Sequence, residues 1–409
     1  MKRTKCSACG YDDLLTFLDL GTSPIADAYT ERADSVGSYH PLQLAVCTGC
    51  WLVQLLEVVD QKTLFGTGYS FYSSASPPLS AYHEDYAKQI LATQENRDRA
   101  RKLVVELGCN DGDMLRHFRK QGYDTLGVDP ASGPVAAARE RGLEVVEKPF
   151  TATLARELVG SHGHAGIIVA NHVLAHVEDV SNFLEGVSNL LAGNGVAYVE
   201  VQYLPDLLVS NAFDLVYHEH RNFFSLTSLK NAALRWGLQI VDVQLTDRQS
   251  GSLRVALQHT YAGFSRFQRI EDAEAWLRHE AAYVGFQGRI ERVRARLIDI
   301  VYAERNAGRT VIGYGAPAKA TTLLNFCGLG ANVIDYVSDT TAAKQGRFIP
   351  GTGLEIRQPV QLDDVNPMQT TYLVLAWNYT RHIMNVEREF TARGGRWIAP
   401  IPVPTVLGD

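Results

Sequence analysis

The sequence predicts an α/β protein: a doubly wound, mostly parallel sheet in mid-chain, a smaller α/β unit after it, and a cysteine-bearing unit before it. Three observations carry this. Strand-like and helix-like blocks alternate from about residue 103 to 200, the same rhythm restarts at residue 310, and the first 75 residues hold two Cys-x-x-Cys pairs. A chain of 409 residues suits two or three units, each with a core. Its 39 Lys+Arg against 45 Asp+Glu leave a net charge of −6, which repels a phosphate backbone, so nucleic acid is not an expected partner. Met1-Lys2-Arg3 leads into no signal-peptide core, and no apolar stretch approaches the roughly 18 residues that span a bilayer. A cytoplasmic protein without a membrane partner is expected.

Residues 1–75 scatter Gly, Pro, Ser and Thr among short apolar runs, Leu14 to Leu20 and Leu42 to Val46, and are expected to be irregular. Cys6, Cys9, Cys47 and Cys50 offset that weak core. Four thiolates suit a tetrahedral zinc, leave it no open position, and make a structural site. The 37 residues between Cys9 and Cys47 exceed the roughly 15–20 of common zinc ribbons. Cys109 and Cys327 stand alone and read as small buried packing residues.

In the middle unit Leu103 to Leu107, Thr125 to Asp129, Leu143 to Val146, Ala165 to Ala170 and Gly195 to Val201 read as strands. Asp113 to Lys120, Pro134 to Arg141 and Val180 to Leu191 read as the helices between them. The first strand ends in Glu106-Leu107-Gly108-Cys109-Asn110-Asp111-Gly112, whose glycines let backbone approach a ligand. Asp129 ends the next strand 21 residues after Gly108, where a carboxylate can accept from ribose hydroxyls. An adenosine-bearing cofactor is implied. The turn is G-x-x-x-G rather than the dinucleotide G-x-G-x-x-G, and Glu106 and Asp111 repel pyrophosphate but suit a cation, which points to the sulfonium of S-adenosylmethionine. For Asp111 or Asp113 alone, helix capping serves as well. Asn171 and His176 follow the fourth strand, on the edge where such sheets bind ligands, and read either as lining the cofactor and substrate sides or as a helix-capping Asn and a surface His.

Downstream, Tyr217-His218-Glu219-His220 places imidazoles beside a carboxylate and an aromatic, which reads either as a setting for a general base near neutral pH or as a solvated or core-satisfied cluster. Three sequential residues cannot all face one point, so a metal site is not expected there. Tyr69 to Ser76 is rich in hydroxyls and aromatics and reads as a linker or a substrate-facing loop. Ile270 to Gly308 is charged, amphipathic and free of proline, and reads as one or two joining helices. Strands then recur at Thr310 to Gly315, Val333 to Val337, Tyr372 to Trp377 and Arg396 to Ile401, with helices at Ala318 to Leu324 and Ile383 to Arg393. Gly313-Tyr314-Gly315-Ala316-Pro317-Ala318 fits G-x-G-x-x-A, with Asp335 and Asp339 beyond it. Alone it supports a dinucleotide site and an oxidoreductase. Lys319 at the helix start would suit any phosphate, including a nucleotide-sugar diphosphate, or is an ordinary solvated lysine.

The order of the cysteine pairs, Glu106-x-Gly108-Cys109-Asn110-Asp111-Gly112, Asn171 to His176, Tyr217-His218-Glu219-His220 and Gly313-Tyr314-Gly315-Ala316-x-Ala318-Lys319 resembles the S-adenosylmethionine-dependent sugar C-methyltransferases that act on nucleotide-linked 4-keto-deoxysugars. Agreement extends to Asp339-x-x-x-x-Lys344-Gln345-Gly346, Pro350-Gly351 and Ala376-Trp377-Asn378. The resemblance implies a zinc-binding domain at 1–75, a class I methyltransferase domain at 76–265, and a Rossmann-like substrate-binding domain at 266–409 that no longer binds a dinucleotide. It implies methylation of carbon 3 of a nucleotide-sugar, with dTDP as the nucleotide, through an enolate. On this reading His220 is the base and Glu219 its orienting or polar partner, while Tyr72, His176 and Tyr217 donate hydrogen bonds or touch sugar. Glu106, Gly108, Asn110, Asp111, Gly112, Asp129 and Asn171 serve the cofactor, and Tyr314, Lys319, Asp339, Lys344 and Asn378 the substrate. A monomer or small homo-oligomer is expected, with no metal in the chemistry.

One departure stands out. Gln249-Ser250-Gly251-Ser252-Leu253-Arg254 occurs where relatives commonly show His-Gly-Gly before a strand ending in Arg, so one substrate contact differs. The competing readings are a C-methyltransferase acting on another carbon acid, a nicotinamide oxidoreductase using the terminal glycine loop, and a noncatalytic zinc-bearing interaction protein.

Overall fold

The computed structural model describes residues 2–35, 37–60, 63–64, 72–94, 102–246, 251–259 and 267–408. Tyr69, Ser70, Phe71, Gln249, Ser250 and the expected joint at 265 lie outside them. The described residues fold around three sheets of four, seven and six strands.

The first sheet replaces the irregular chain expected at the start. β1 (Leu14–Pro24), β2 (Tyr39–Cys47) and β3 (Val53–Leu55) pair antiparallel. Leu18 and Leu20 flank exposed Asp19, and Leu42 and Leu44 flank half-buried Gln43. A half-buried strand alternates in this way, so its composition passes for loop although one face is apolar.

The second sheet follows the expected rhythm. After α1 (Pro77–Gln94) come β4 (Leu103–Leu107), α2 (Leu115–Lys120), β5 (Asp124–Val128), α3 (Ser132–Glu140), β6 (Val145–Val146), α4 (Ala152–His162), β7 (Ala165–Asn171), α5 (Val180–Leu190) and β8 (Leu191–Gln202). The chain continues through α6 (Leu204–Ser210), β9 (Asn222–Phe223), α7 (Leu226–Leu234), β10 (Gln239–Thr246) and β11 (Ser252–Gln258). The strand order is β10-β11-β8-β7-β4-β5-β6, parallel from β8 to β6, with β11 inserted antiparallel between β8 and β10. β9 leaves this unit and pairs with β3 in the first sheet. α2 begins at Leu115 rather than Asp113, whose fully buried carboxylate is held by Ser80, His83 and Arg116.

The charged stretch 270–308 becomes α8 (Gln268–Ala273), two short 3-10 turns and α9 (Phe286–Asn306). Phe286, Ile290, Val293, Leu297 and Val301, three or four residues apart, form the buried stripe of α9. That stripe shares one core with the first and third sheets, so the terminal units pack on each other as well as on the middle one.

The third sheet holds β12 (Thr310–Tyr314), then, after α10 (Lys319–Cys327), β13 (Val337–Ser338), β14 (Ile356–Arg357) and β15 (Thr370–Val374). After α11 (Thr380–Val386) and α12 (Arg388–Ala392) come β16 (Arg396–Ala399) and β17 (Thr405–Leu407). Val333 and Ile334 form a turn instead of a strand, because both amides close on the Gly330 carbonyl. The helix expected over 383–393 divides at Glu387. β14 and β17 are too short to leave a periodic signal. Among the described residues no helix is long and apolar enough to cross a membrane.

Candidate active site

A cavity of about 340 Å³ opens at the carboxyl ends of β4, β5 and β7, lined in part by Ser73, Gly108, Asn110, Asp129, Asn171 and His176. The turn after β4 needs its glycines. A Cβ at Gly108, where φ is +69°, would lie 2.0 Å from Val173 Cγ2, and one at Gly112, where φ is +75°, would lie 2.1 Å from Leu143 Cδ1. Asp129 holds the turn's far side, its carboxylate accepting from the amides of Asn110 (2.9 Å) and Ala131 (2.8 Å). Each oxygen keeps a further lone pair for a hydroxyl donor. The buried Asn171 Oδ1 has no hydrogen-bond partner among the described residues. S-adenosylmethionine brings ribose hydroxyls and an ammonium as donors, so this acceptor-rich wall fits it.

Glu106, Asp111 and Gly112 stand behind that wall. Burial, and then the charges of Asp113 and Asp129, push the Glu106 carboxyl well above the usual range. Asp111 is fully buried, its carboxylate taken up by Arg141 (3.0 Å) and the Ser74 hydroxyl (2.5 Å). It anchors the 73–75 turn to the cofactor loop rather than facing a sulfonium.

The turn between α6 and β9 carries the second group. His220 Nδ1 donates to the Leu215 carbonyl at 2.8 Å, which leaves Nε2 as an acceptor for the Tyr217 hydroxyl at 2.7 Å. Glu219 therefore does not orient His220: the Leu215 carbonyl does that work. His176 donates from Nδ1 to the Glu219 carbonyl (2.8 Å), and its ring centroid lies 5.2 Å from that of His220. Burial depresses both imidazoles, His176 to about 4 and His220 well below its ordinary value, so both are neutral at pH 7 and neither keeps the near-neutral pKa expected of the base. The Glu219 side chain is 4% exposed, and its Oε1 is unpartnered among the described residues. Burial and then Asp27 raise its carboxyl well above the usual range. Tyr72 is placed on the cofactor-loop side, its hydroxyl 2.8 Å from where a Gly133 Cβ would stand at the start of α3.

In the terminal unit, Lys319 is buried rather than solvated. Its ammonium donates to Asn378 Oδ1 (2.7 Å) and lies 3.8 Å from the Trp377 ring centroid. Burial pulls it down to about 8 against the opposing pull of Asp214. Asp214 in turn accepts from Trp377 Nε1 at 2.6 Å and sits one residue before Leu215. The glycine turn is not an open phosphate cradle, because Asp339 already accepts from the amides of Ala316 (2.6 Å) and Thr341 (2.7 Å). Lys344 and Tyr29 both donate to the Ala316 carbonyl, at 2.8 and 2.9 Å. Tyr314 instead donates to Glu387 at 2.9 Å. Sequence reasoning missed Tyr29, Asp27, Asp214 and Leu215. Nothing in their spacing marks them, and Leu215 acts through its backbone.

Cys6, Cys9, Cys47 and Cys50 converge so that their four Sγ atoms lie within 4.8 Å of one another, with Cys6 to Cys50 at 3.5 Å and Cys9 to Cys47 at 3.6 Å. Four sulfurs about 2.3 Å from a zinc stand roughly 3.8 Å apart, so the donor set fits a closed tetrahedral site.

Three family models divide the chain: a zinc binding domain over residues 6–65, a methyltransferase domain over 80–243, and a C-methyltransferase C-terminal domain over 247–402. The C-methyltransferase NovU of Streptomyces niveus is 37% identical over 410 residues, which covers 98% of this chain and 96% of that protein. A ubiquinone biosynthesis O-methyltransferase of Azorhizobium caulinodans is 29% identical over 97 residues, 24% of this chain and 38% of its own. Among solved structures, an S-adenosylmethionine-dependent methyltransferase from Clostridium acetobutylicum covers 43% of this chain and 91% of its own at 12% identity, with a TM-score of 0.36. By its family model and the NovU match the middle unit is a class I methyltransferase domain that takes S-adenosylmethionine, and the four cysteines of the first unit form a structural zinc site. Since NovU matches from the knuckles through the histidine turn to the terminal unit, this chain belongs to the S-adenosylmethionine-dependent C-methyltransferase family.

Proposed function

We propose that this enzyme methylates carbon 3 of a 4-keto-deoxysugar linked to a nucleotide, with dTDP as the nucleotide. The observation that carries the reading is the Tyr217–His220 pair beside the His176 edge of the cofactor cavity. A hydrogen next to a ketone is acidic enough for a positioned base, provided the base is unprotonated and a donor meets the developing enolate. Burial keeps His220 neutral, and the Leu215 carbonyl fixes the tautomer whose Nε2 accepts the proton. The Tyr217 oxygen takes the carbon-3 proton as its own hydroxyl proton moves to Nε2, and the electron pair of the broken C–H bond is delocalised onto the ketone oxygen as the enolate. Bound S-adenosylmethionine supplies an electrophilic methyl group to the carbon so exposed. His176 orients the sugar from the cavity wall, Glu219 offers it a buried carboxyl, and Tyr72 closes the cofactor side.

The reading divides the chain into a zinc-binding domain at 1–75, a methyltransferase domain at 76–265 and a substrate-binding domain at 266–409. The nucleotide is assigned to the last of these, through Lys319, Lys344 and Asn378, with Tyr314 and Asp339, which are bonded to Glu387 and to the Ala316 and Thr341 amides, shaping the turn beside it. Six unpaired cysteines support a reducing, cytoplasmic setting. The test is incubation with a dTDP-4-keto-deoxysugar and 13C-methyl-labelled S-adenosylmethionine, followed by NMR of the product. A labelled methyl on carbon 3 is expected. A label on carbon 5, the other carbon beside the ketone, or on an oxygen would overturn the assignment.

A further inference from the structure

We propose that the zinc-bearing sheet sets the position of the catalytic turn, with Asn222 and Ser7 as the positioning residues that connect them. The inference rests on the reading of His220 as the base. β9 begins two residues beyond His220 and completes the first sheet, pairing Asn222 with Gln54 and Phe223 with Val53. The Leu55 amide donates to the Arg221 carbonyl at 2.9 Å, which extends the pairing to the residue next to His220.

Ser7 lies between the zinc ligands Cys6 and Cys9. Its hydroxyl donates to Asn222 Oδ1 at 2.9 Å, and its amide donates to Gln54 Oε1 at 3.0 Å. Asn222 is 1% exposed and its side chain is fully engaged, with Nδ2 donating to the Val177 carbonyl at 2.8 Å. The amides of Arg221 and Asn222 both donate to the Ala175 carbonyl, at 2.8 and 3.0 Å. One buried side chain therefore ties the cysteine knuckle to the strand after His220 and to the segment that carries His176. A sheet that only docked against its neighbour would need apolar contact alone. These directional bonds instead converge within two residues of both imidazoles, where small displacements affect proton transfer most. Ligation of Cys6 and Cys9 would hold Ser7, and through it this whole connection.

The test uses the full-length, zinc-loaded enzyme and compares Ser7→Ala, Ser7→Thr, Asn222→Ala and His220→Gln. Zinc content and calorimetric affinity for S-adenosylhomocysteine report the fold and the metal. Hydrogen–deuterium exchange over residues 215–223 reports the turn. Deuterium incorporation from D2O into a dTDP-4-keto-deoxysugar, with S-adenosylhomocysteine bound, reports the base.

Ser7→Ala is expected to keep its zinc and its affinity, to speed amide exchange in the turn, and to slow deuterium incorporation about 10-fold or more. Ser7→Thr, which keeps the hydroxyl, is expected to restore both rates. Asn222→Ala is expected to exceed Ser7→Ala, and the serine variant carries the test if the asparagine variant fails to fold. Unchanged exchange in Ser7→Ala overturns the proposal, as does loss of zinc or of cofactor affinity in proportion to the rate. Undiminished incorporation by His220→Gln would instead overturn the base assignment, leaving amide exchange to judge the connection.

Discussion

The hydroxyl of Tyr217 lies 2.7 Å from Nε2 of His220, with the two ring centroids 3.9 Å apart. Because the opposite nitrogen of the imidazole donates to Leu215, tyrosine is the donor of the pair, and the histidine can accept the proton it gives. His220→Gln is expected to lower kcat about 10²- to 10⁴-fold, the usual weight of a general base. Tyr217→Phe is expected to lower it by about 10- to 100-fold, with affinity for S-adenosylhomocysteine unchanged in both. Single-turnover methyl transfer and calorimetry check this, and a full-rate His220→Gln would remove the histidine from the chemistry.

Gly108 faces Val173 so closely that its substitution should act through sterics. Alanine at a φ of +69° costs about 1–2 kcal/mol in backbone strain before its Cβ meets the valine methyl 2.0 Å away. Gly108→Ala is expected to weaken S-adenosylhomocysteine binding at least about 10-fold. The double variant Gly108→Ala/Val173→Ala is expected to recover part of the loss, as calorimetry would show. No recovery would mean that strain, rather than the clash, governs the turn.

Asp129 holds two loop amides and faces the cavity. Asp129→Ala leaves both amides without their acceptor, at about 1–3 kcal/mol, and removes an acceptor for ribose. Affinity for S-adenosylhomocysteine is expected to fall about 10- to 100-fold, while zinc content stays constant. Titration of the variant decides.

Cys47 is fully buried at the end of β2, one of four thiolates around the metal position. Cys47→Ser is expected to lose the metal and, with it, on the order of several kcal/mol of stability. Elemental analysis paired with urea unfolding measures both. A variant without zinc that unfolds at the wild-type midpoint would make the metal incidental.

His218 is 1% exposed, its Nε2 facing the carbonyls of His40 and Pro41 at 3.3 and 3.2 Å, and burial lowers it to about 4. The unfolded chain takes up a proton near pH 6.5 that the folded chain refuses until about pH 4, so stability is full above 6.5 and declines as pH falls through that window. The slope this side chain adds is on the order of 1 kcal/mol per pH unit. Unfolding midpoints at pH 7.5, 6 and 5 for wild type and His218→Gln are expected to show a shallower acid decline in the variant. Equal slopes would assign the acid sensitivity to other groups.

The glycine turn after β4 and the metal ligands were legible because their pattern is local. Gly108 and Gly112 follow a strand, Asp129 ends the next one, and each cysteine pair sits on a short turn. The doubly wound rhythm was legible for the same reason, since buried strands and amphipathic helices carry their period in a few residues. β1 and β2 escaped because alternation in a half-buried hairpin resembles loop composition. β14 and β17 escaped because two or three residues make no period, and β13 was expected four residues too early because Val333 and Ile334 are apolar but close a turn.

The family, the cofactor class and the metal ligands follow from residue types and short spacings alone. Which partner each side chain of the glycine and histidine turns meets follows only from the packed fold. The Leu215 carbonyl, not Glu219, orients His220; Arg141 and Ser74 take the charge of Asp111; Asp339 fills the amide of its own glycine turn; and Tyr29 reaches Ala316 across 287 positions of chain. Side-chain type fixes which bonds a residue can make. Which partner it meets depends on contacts between segments far apart in sequence, and these exist only once the three sheets have packed around their shared core.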